Sequence, residues 1–69
     1  MGELKLKIKV GDLVKLNENR ERYSSIIRGE NRFHIVLKND ICLYIGKCHF
    51  LILNVGIIVE AKLGVFEGL

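Results

Sequence analysis

Hydrophobic and polar residues alternate strictly near the start of the chain. A period of two puts Leu4, Leu6, Ile8 and Val10 on one face of a β-strand and Lys5, Lys7 and Lys9 on the other. Gly11 and Asp12 predict a turn or bulge, after which residues 13–16 continue extended. The lysine row has two interpretations. It is either a basic stripe that binds phosphates or a solvated row that protects an edge strand from unwanted pairing.

A polar segment and a short strand-like segment follow. Residues 17–22 are polar throughout, and Gly29-Glu30-Asn31 predicts a turn. Between them, Tyr23–Ile27 could form a short strand or a single helical turn, and its β-branched and aromatic residues favour the strand. The sequence therefore predicts a long, largely irregular segment over residues 17–32 with one short strand inside it.

The second half of the chain predicts consecutive hairpin strands. Residues 33–37 and 41–45 are strand-like, and Lys38-Asn39-Asp40 between them suits a turn because such residues tolerate positive φ.

Gly46-Lys47 then suits a two-residue hairpin loop, since glycine in the first position fits the mirror-type turn that matches strand twist. That loop would place Tyr44 opposite His49 and Cys42 opposite Leu51. Residues 48–53 and 56–61 predict a last hairpin that turns near Asn54-Val55, although valine is poorly suited to positive φ.

Apolar residues on both faces of these strands are typical of a strongly curved sheet whose outer face is partly covered. A chain of 69 residues, 49% of them hydrophobic, has room for one domain with one small core. We therefore expect an all-β fold over residues 1–69, a small barrel of five to six mostly antiparallel strands. The apolar excess favours self-association and is compatible with a homodimer.

The formal charge of +3 is unevenly distributed. Residues 1–38 hold nine Lys and Arg against five Asp and Glu, whereas residues 39–69 hold two against three. The longest apolar run, residues 50–59, is shorter than the roughly 20 residues that a spanning helix needs, and no signal-peptide pattern is recognisable. We expect a cytoplasmic protein without membrane contact.

Residues that could carry chemistry are few. His34, Cys42, Cys48 and His49 could supply four zinc ligands, but the close cysteine pair of a zinc finger or ribbon is lacking. On the predicted hairpin the two sulfurs point to opposite faces, which disfavours a disulfide and favours small buried thiols. Adjacent Cys48 and His49 also point apart, and neither paired carboxylates nor a phosphate-binding glycine loop is evident. The sequence predicts no enzyme, no metal site and no cofactor.

Three segments, in their order and spacing, resemble small Src-homology-3-like barrels. They are Val10-Gly11-Asp12-Leu13-Val14, the segment from Asn39 to Gly46, and the segment from Leu51 to Val59. The chain looks especially like uncharacterised small barrels of large tailed bacteriophages, from about residue 9 onward. The resemblance implies a barrel with an accessory binding role. An aromatic groove for proline-rich peptides is not recognisable, so that activity is not implied.

The remaining candidate binding residues are Arg20, Arg22, Tyr23, Arg28, Arg32 and Phe33. Arginine and aromatic side chains are enriched at binding hot spots, and loops on a rigid scaffold commonly carry binding. The alternative is that Glu18, Glu21 and Glu30 pair with these arginines and that the segment is simply solvated.

Two functions are compatible with these features. The first is a non-enzymatic module that binds an unidentified host or viral protein. The second is a nucleic-acid-binding barrel in which Lys5, Lys7, Lys9 and Lys15, together with the arginines, contact phosphates. The modest net charge and the lack of aromatic residues beside the lysines favour the protein-binding module.

Overall fold

Seven strands form one antiparallel sheet in the computed structural model, which describes residues 8–69. They are β1 (Leu13–Leu16), β2 (Arg22–Ile27), β3 (Phe33–Leu37), β4 (Cys42–Gly46), β5 (His49–Ile52), β6 (Ile57–Glu60) and β7 (Phe66–Gly68). Their order across the sheet is β3-β2-β6-β5-β4-β1-β7, so β3 and β7 are the edges. The one helix within residues 8–69 is a 3-10 turn of three residues, too short to cross a membrane.

The prediction of an all-β, antiparallel fold is confirmed, but the strand count is wrong. The sheet curls into a half-barrel of seven strands rather than a barrel of five to six, and β3 and β7 do not pair with each other. The strand predicted over residues 4–10 falls largely outside the described residues, and residues 8–10 are not part of a strand. Residues 23–27, in contrast, form a strand as expected.

The hydrophobic core fills the concave face of the curled sheet. Its centre is Phe50, whose ring stacks on Phe66 with centroids 4.1 Å apart and contacts Tyr44 at 5.0 Å. Alternation along the strands supplies the other fully buried side chains, namely Val14, Leu16, Val36, Cys42, Ile52 and Val59. Six strands are predicted from residue 13 onward, and five of them, β1 and β3 to β6, contribute these fully buried side chains. The sixth, β2, contributes the partly buried Tyr23 and Ile27.

The seventh strand is absent from the sequence-based expectation. Beyond residue 61 the chain shows no clear alternation, yet β7 pairs with β1 through Leu16 and Phe66, Lys15 and Glu67, and Val14 and Gly68. The preceding 3-10 turn is anchored by the Asn17 N–H, which donates to the Val65 carbonyl at 2.9 Å. Burial of Phe66 against Phe50 holds this edge strand in place.

The β4–β5 hairpin differs from the predicted register by one residue. Tyr44 pairs with Phe50 and Gly46 with His49, while Ile45 is an extra residue in a bulge. The loop is therefore Lys47-Cys48, with φ values of 53° and 62°, instead of Gly46-Lys47. The observed register puts Tyr44 and Phe50 together on the concave face, whereas the predicted one would have paired the buried tyrosine with half-buried His49.

The β5–β6 hairpin turns where the sequence predicts, but it does so with four residues. Ile52 pairs with Ile57, which leaves residues 53–56 as the loop. The left-handed conformation falls on Gly56, at a φ of 74°, and its N–H donates to the Ile52 carbonyl at 2.7 Å. Val55 is thereby spared the positive φ for which a β-branched residue is unsuited.

Candidate interaction surface

The β2–β3 hairpin exposes an apolar face. The two strands pair from Arg22 opposite Leu37 to Ile26 opposite Phe33. Alternate residues point outward, and four of them are large and hydrophobic: Ile26 is 41% exposed, Phe33 63%, Ile35 45% and Leu37 52%. We name these four residues the hairpin patch. Clustered side chains of this kind, in contrast to scattered ones, are typical of interaction surfaces.

The inner face of the same hairpin holds it against the core. Val36 is fully buried, and Tyr23 and Ile27 pack against the buried cluster. Ser25, which is 2% exposed, donates its hydroxyl to the His34 carbonyl at 3.1 Å and so has a partner despite its burial. Because the inner face is occupied in this way, the strand alternation leaves the hairpin patch on the outside.

The predicted partner-binding residues lie at the two ends of this hairpin. Arg28 and Arg32 flank the turn beside Phe33, at one end of the patch. Arg22 lies on the outer face at the other end, opposite Leu37. The structure therefore places four of the six predicted residues, Arg22, Arg28, Arg32 and Phe33, at the two ends of one hairpin.

Tyr23 and Arg20 contact each other away from the patch. Tyr23 is half-buried on the inner face, and the Arg20 guanidinium lies 5.5 Å from the centroid of its ring. A cation–π contact at this distance stabilises the segment that enters β2. Tyr23 thus packs towards the core and is not part of the exposed outer face.

Some of the charges on the hairpin are already paired. The Arg32 guanidinium lies 2.8 Å from a Glu30 carboxylate oxygen, and Lys38 lies 3.6 Å from Glu21. Within residues 8–69, Arg20, Arg22 and Arg28 form no ion pair. The expectation that the glutamates neutralise the arginines therefore holds for Arg32 alone in this part of the chain.

The two described members of the predicted phosphate-binding set, Lys9 and Lys15, do not join the arginines along the sheet. Lys15 lies on β1, which β4, β5 and β6 separate from β2, and its Nζ is 3.7 Å from Glu67. Lys9 is exposed, and its backbone N–H donates to Asp12 Oδ2 at 2.9 Å. Lys5 and Lys7 lie outside the described residues.

The two thiols differ in environment, so the prediction that both are buried is wrong for Cys48. Cys42 is fully buried, and burial together with the nearby Asp40 charge raises the pKa of its thiol to about 11. Cys48 is exposed in the β4–β5 loop. His49 lies 3.1 Å from Glu60, and in the described part of the chain no three His, Cys, Asp or Glu side chains are grouped so as to hold a metal.

Three members of the hairpin patch are not among the binding residues that the sequence predicts, namely Ile26, Ile35 and Leu37. The alternation in β3 already places Phe33, Ile35 and Leu37 on the same face of the strand. It does not say which face of the strand packs against the core. The exposed face follows from Val36, which the fold directs inward.

No family model, curated protein or solved structure matches this chain.

Proposed function

We propose that this protein is a non-enzymatic interaction module that binds another protein through the hairpin patch. The observation that carries the proposal is a row of four exposed apolar side chains, with Arg22 at one end and Arg28 and Arg32 at the other. The fully buried centre of protein interfaces is depleted of charge, while arginine and aromatic residues are enriched across them. The hairpin patch has that composition, with exposed arginines near both of its ends.

Phe33 is the expected anchor. It is the most exposed of the four patch residues and lies beside the arginines of the turn. Large aromatic side chains that become buried on binding are common hot spots. Arg22 and Arg28, which pair with no carboxylate among residues 8–69, are free to contact acidic groups on a partner. The expected partner surface therefore has an apolar depression bordered by Asp or Glu.

The resemblance to small barrels of large tailed bacteriophages supports a host or viral protein as the partner. On this proposal the module is an accessory protein, and its effect comes from occupying the partner's surface. The apolar and arginine residues of the hairpin and the small all-β fold are compatible with this role. Binding through the hairpin patch requires neither a cofactor nor a catalytic group.

A nucleic-acid-binding barrel is the second candidate, and one observation favours it. The exposed Phe33 ring lies close in sequence to Arg28 and Arg32, and a ring beside guanidinium groups can stack on an unpaired base. Against it, Arg32 is paired with Glu30, Lys38 is paired with Glu21, and Lys15 lies on β1 beside Glu67.

The test is affinity capture from a bacterial lysate with the tagged full chain, with and without nuclease. Phe33→Glu should abolish capture of a defined protein, whereas Leu53→Glu should leave it intact. Leu53 is a matched control because it is 48% exposed and lies in the β5–β6 loop, outside the patch. Circular dichroism of both variants verifies that the fold is retained.

Two results would contradict the protein-binding proposal. Equal capture by Phe33→Glu and wild type would exclude the hairpin patch as the interface. Recovery that disappears with nuclease and falls steeply with added salt would instead identify nucleic acid as the ligand.

A further inference from the structure

The outer edge of β3 has unpaired backbone groups. In the β2–β3 ladder, the Ile27 N–H donates to the Arg32 carbonyl at 2.9 Å and the Lys38 N–H donates to the Glu21 carbonyl at 3.0 Å. Since alternate residues of an antiparallel strand address the same neighbour, residues 34 and 36 also point towards β2. The N–H and carbonyl groups of Phe33, Ile35 and Leu37 therefore point away from the sheet, where no described strand follows.

Asp40 occupies one end of this edge. Its carboxylate accepts the Leu37 N–H at 3.0 Å, and its own N–H donates to the Leu37 carbonyl at 3.0 Å. Both outward groups of Leu37 are thus satisfied within the chain. Two residues, Phe33 and Ile35, keep an open donor and an open acceptor each among residues 8–69. An open edge of this kind is a template for pairing with another strand.

We propose that a second copy of this chain pairs with β3 antiparallel, about a two-fold axis that passes between the two His34 residues. In this register Phe33 of each copy lies opposite Ile35 of the other, and each such pair exchanges two hydrogen bonds. All open donors and acceptors of both edges are then used. The contact is self-complementary, as a two-fold interface must be.

Charge and capping favour this register over the neighbouring one. A pairing centred on Ile35 would place Arg32 opposite the second copy's Lys38, and it would need the Leu37 N–H that Asp40 already holds. The pairing centred on His34 places Arg32 opposite Val36 instead. This register therefore avoids placing two cations opposite each other, and it leaves the Leu37 N–H with Asp40.

The dimer goes beyond the proposed function and does not depend on it. Partner binding uses side chains of the outer face, whereas the dimer uses backbone groups of the edge. Pairing would place the two hairpin patches side by side as one continuous apolar strip, because Phe33 and Ile35 of one copy then adjoin Ile35 and Phe33 of the other. The tests use purified protein alone, so that failure of one proposal is distinguishable from failure of the other.

The first test combines sedimentation equilibrium with amide hydrogen exchange on the full chain. The interface is small, so we expect a dimer of twice the 7.9 kDa chain mass to form as the concentration rises from about 10 μM to about 1 mM. The Phe33 and Ile35 amides should gain protection over the same range. A protein that stays monomeric over this range would overturn the proposal, whether these amides exchange freely or are covered by the chain's own residues. A dimer in which these amides stay unprotected would overturn it as well.

Disulfide trapping tests the register. In a Cys48→Ser background, His34→Cys places two cysteines directly opposite each other, with Cα atoms about 4.5 Å apart, within the range that a disulfide spans. Ile35→Cys is the matched control, because its two copies are diagonal neighbours about 7–8 Å apart. We expect His34→Cys to give at least tenfold more crosslinked dimer under mild oxidation. Equal or reversed yields would exclude the pairing about His34.

Discussion

The corrected β4–β5 loop yields a prediction whose sign depends on the register. Lys47 and Cys48 both adopt the left-handed conformation, which costs a non-glycine residue roughly 1–2 kcal/mol. Cys48→Gly removes that cost at one position. Glycine also makes the unfolded chain more flexible, which costs about 0.5–1 kcal/mol. The net expectation is a stabilisation of about 0.5–1 kcal/mol.

Thermal and urea unfolding followed by circular dichroism measure this difference. For a domain of this size, a stabilisation of about 0.5–1 kcal/mol corresponds to a rise in Tm of roughly 2–8 °C. The backbone N–H of residue 48 donates to the Tyr44 hydroxyl at 3.3 Å, and glycine retains that donor. Cys48→Ala is the control, since it removes the thiol but keeps the Cβ atom and therefore the left-handed cost.

The opposite outcome would refute the reasoning. If the loop were Gly46-Lys47, residue 48 would be an extended strand residue, and glycine there would destabilise the protein by about 0.5–1 kcal/mol. A fall in Tm for Cys48→Gly relative to Cys48→Ala would therefore reinstate the register that the sequence pattern predicts.

Three further predictions concern the core and the two thiols. Phe66→Ala should lower the free energy of unfolding by about 3–5 kcal/mol, because the ring is fully buried and stacked on Phe50. Urea unfolding should show that half or more of the stability expected for a chain of this length is lost. A loss below about 1 kcal/mol would mean that β7 is not docked. Iodoacetamide at pH 8 should label Cys48 alone, as checked by peptide mass spectrometry, with Cys42 labelled only in denaturant. Because the folded pKa of Cys42 is raised to about 11, the unfolded chain ionises first, so stability should fall as pH rises from about 9 to about 11, and Cys42→Ala should remove that fall.

Edge strands are where this fold is least self-contained. β7 is short and is secured by Phe66, whereas β3 has five residues and is capped at one end by Asp40. Among residues 8–69, no further strand pairs with either edge of the half-barrel, whereas a closed barrel has no edges. The proposed dimer interface therefore depends on incomplete closure of the sheet. The hairpin patch adjoins the β3 edge because Phe33, Ile35 and Leu37 belong to that strand.

Local sequence patterns determined most of the strands. Period-two alternation and turn residues located β1 to β6 to within one or two positions, because the alternation reflects burial of one face of each strand. Residue type also suggested Arg22, Arg28, Arg32 and Phe33 as binding residues; these four lie on one hairpin, and their binding role stays a prediction.

Tertiary structure decided what depends on residues distant in sequence. β7 forms because Phe66 packs against Phe50 and because β1 has an edge with which β7 can pair. Neither contact is evident from the residue pattern around residue 66. The β4–β5 register follows from packing Tyr44 beside Phe50, which outweighed the local preference for a glycine-first loop. The exposed face of β3 was settled in the same way, since alternation alone leaves two equivalent faces and only the burial of Val36 assigns Phe33, Ile35 and Leu37 to the outside.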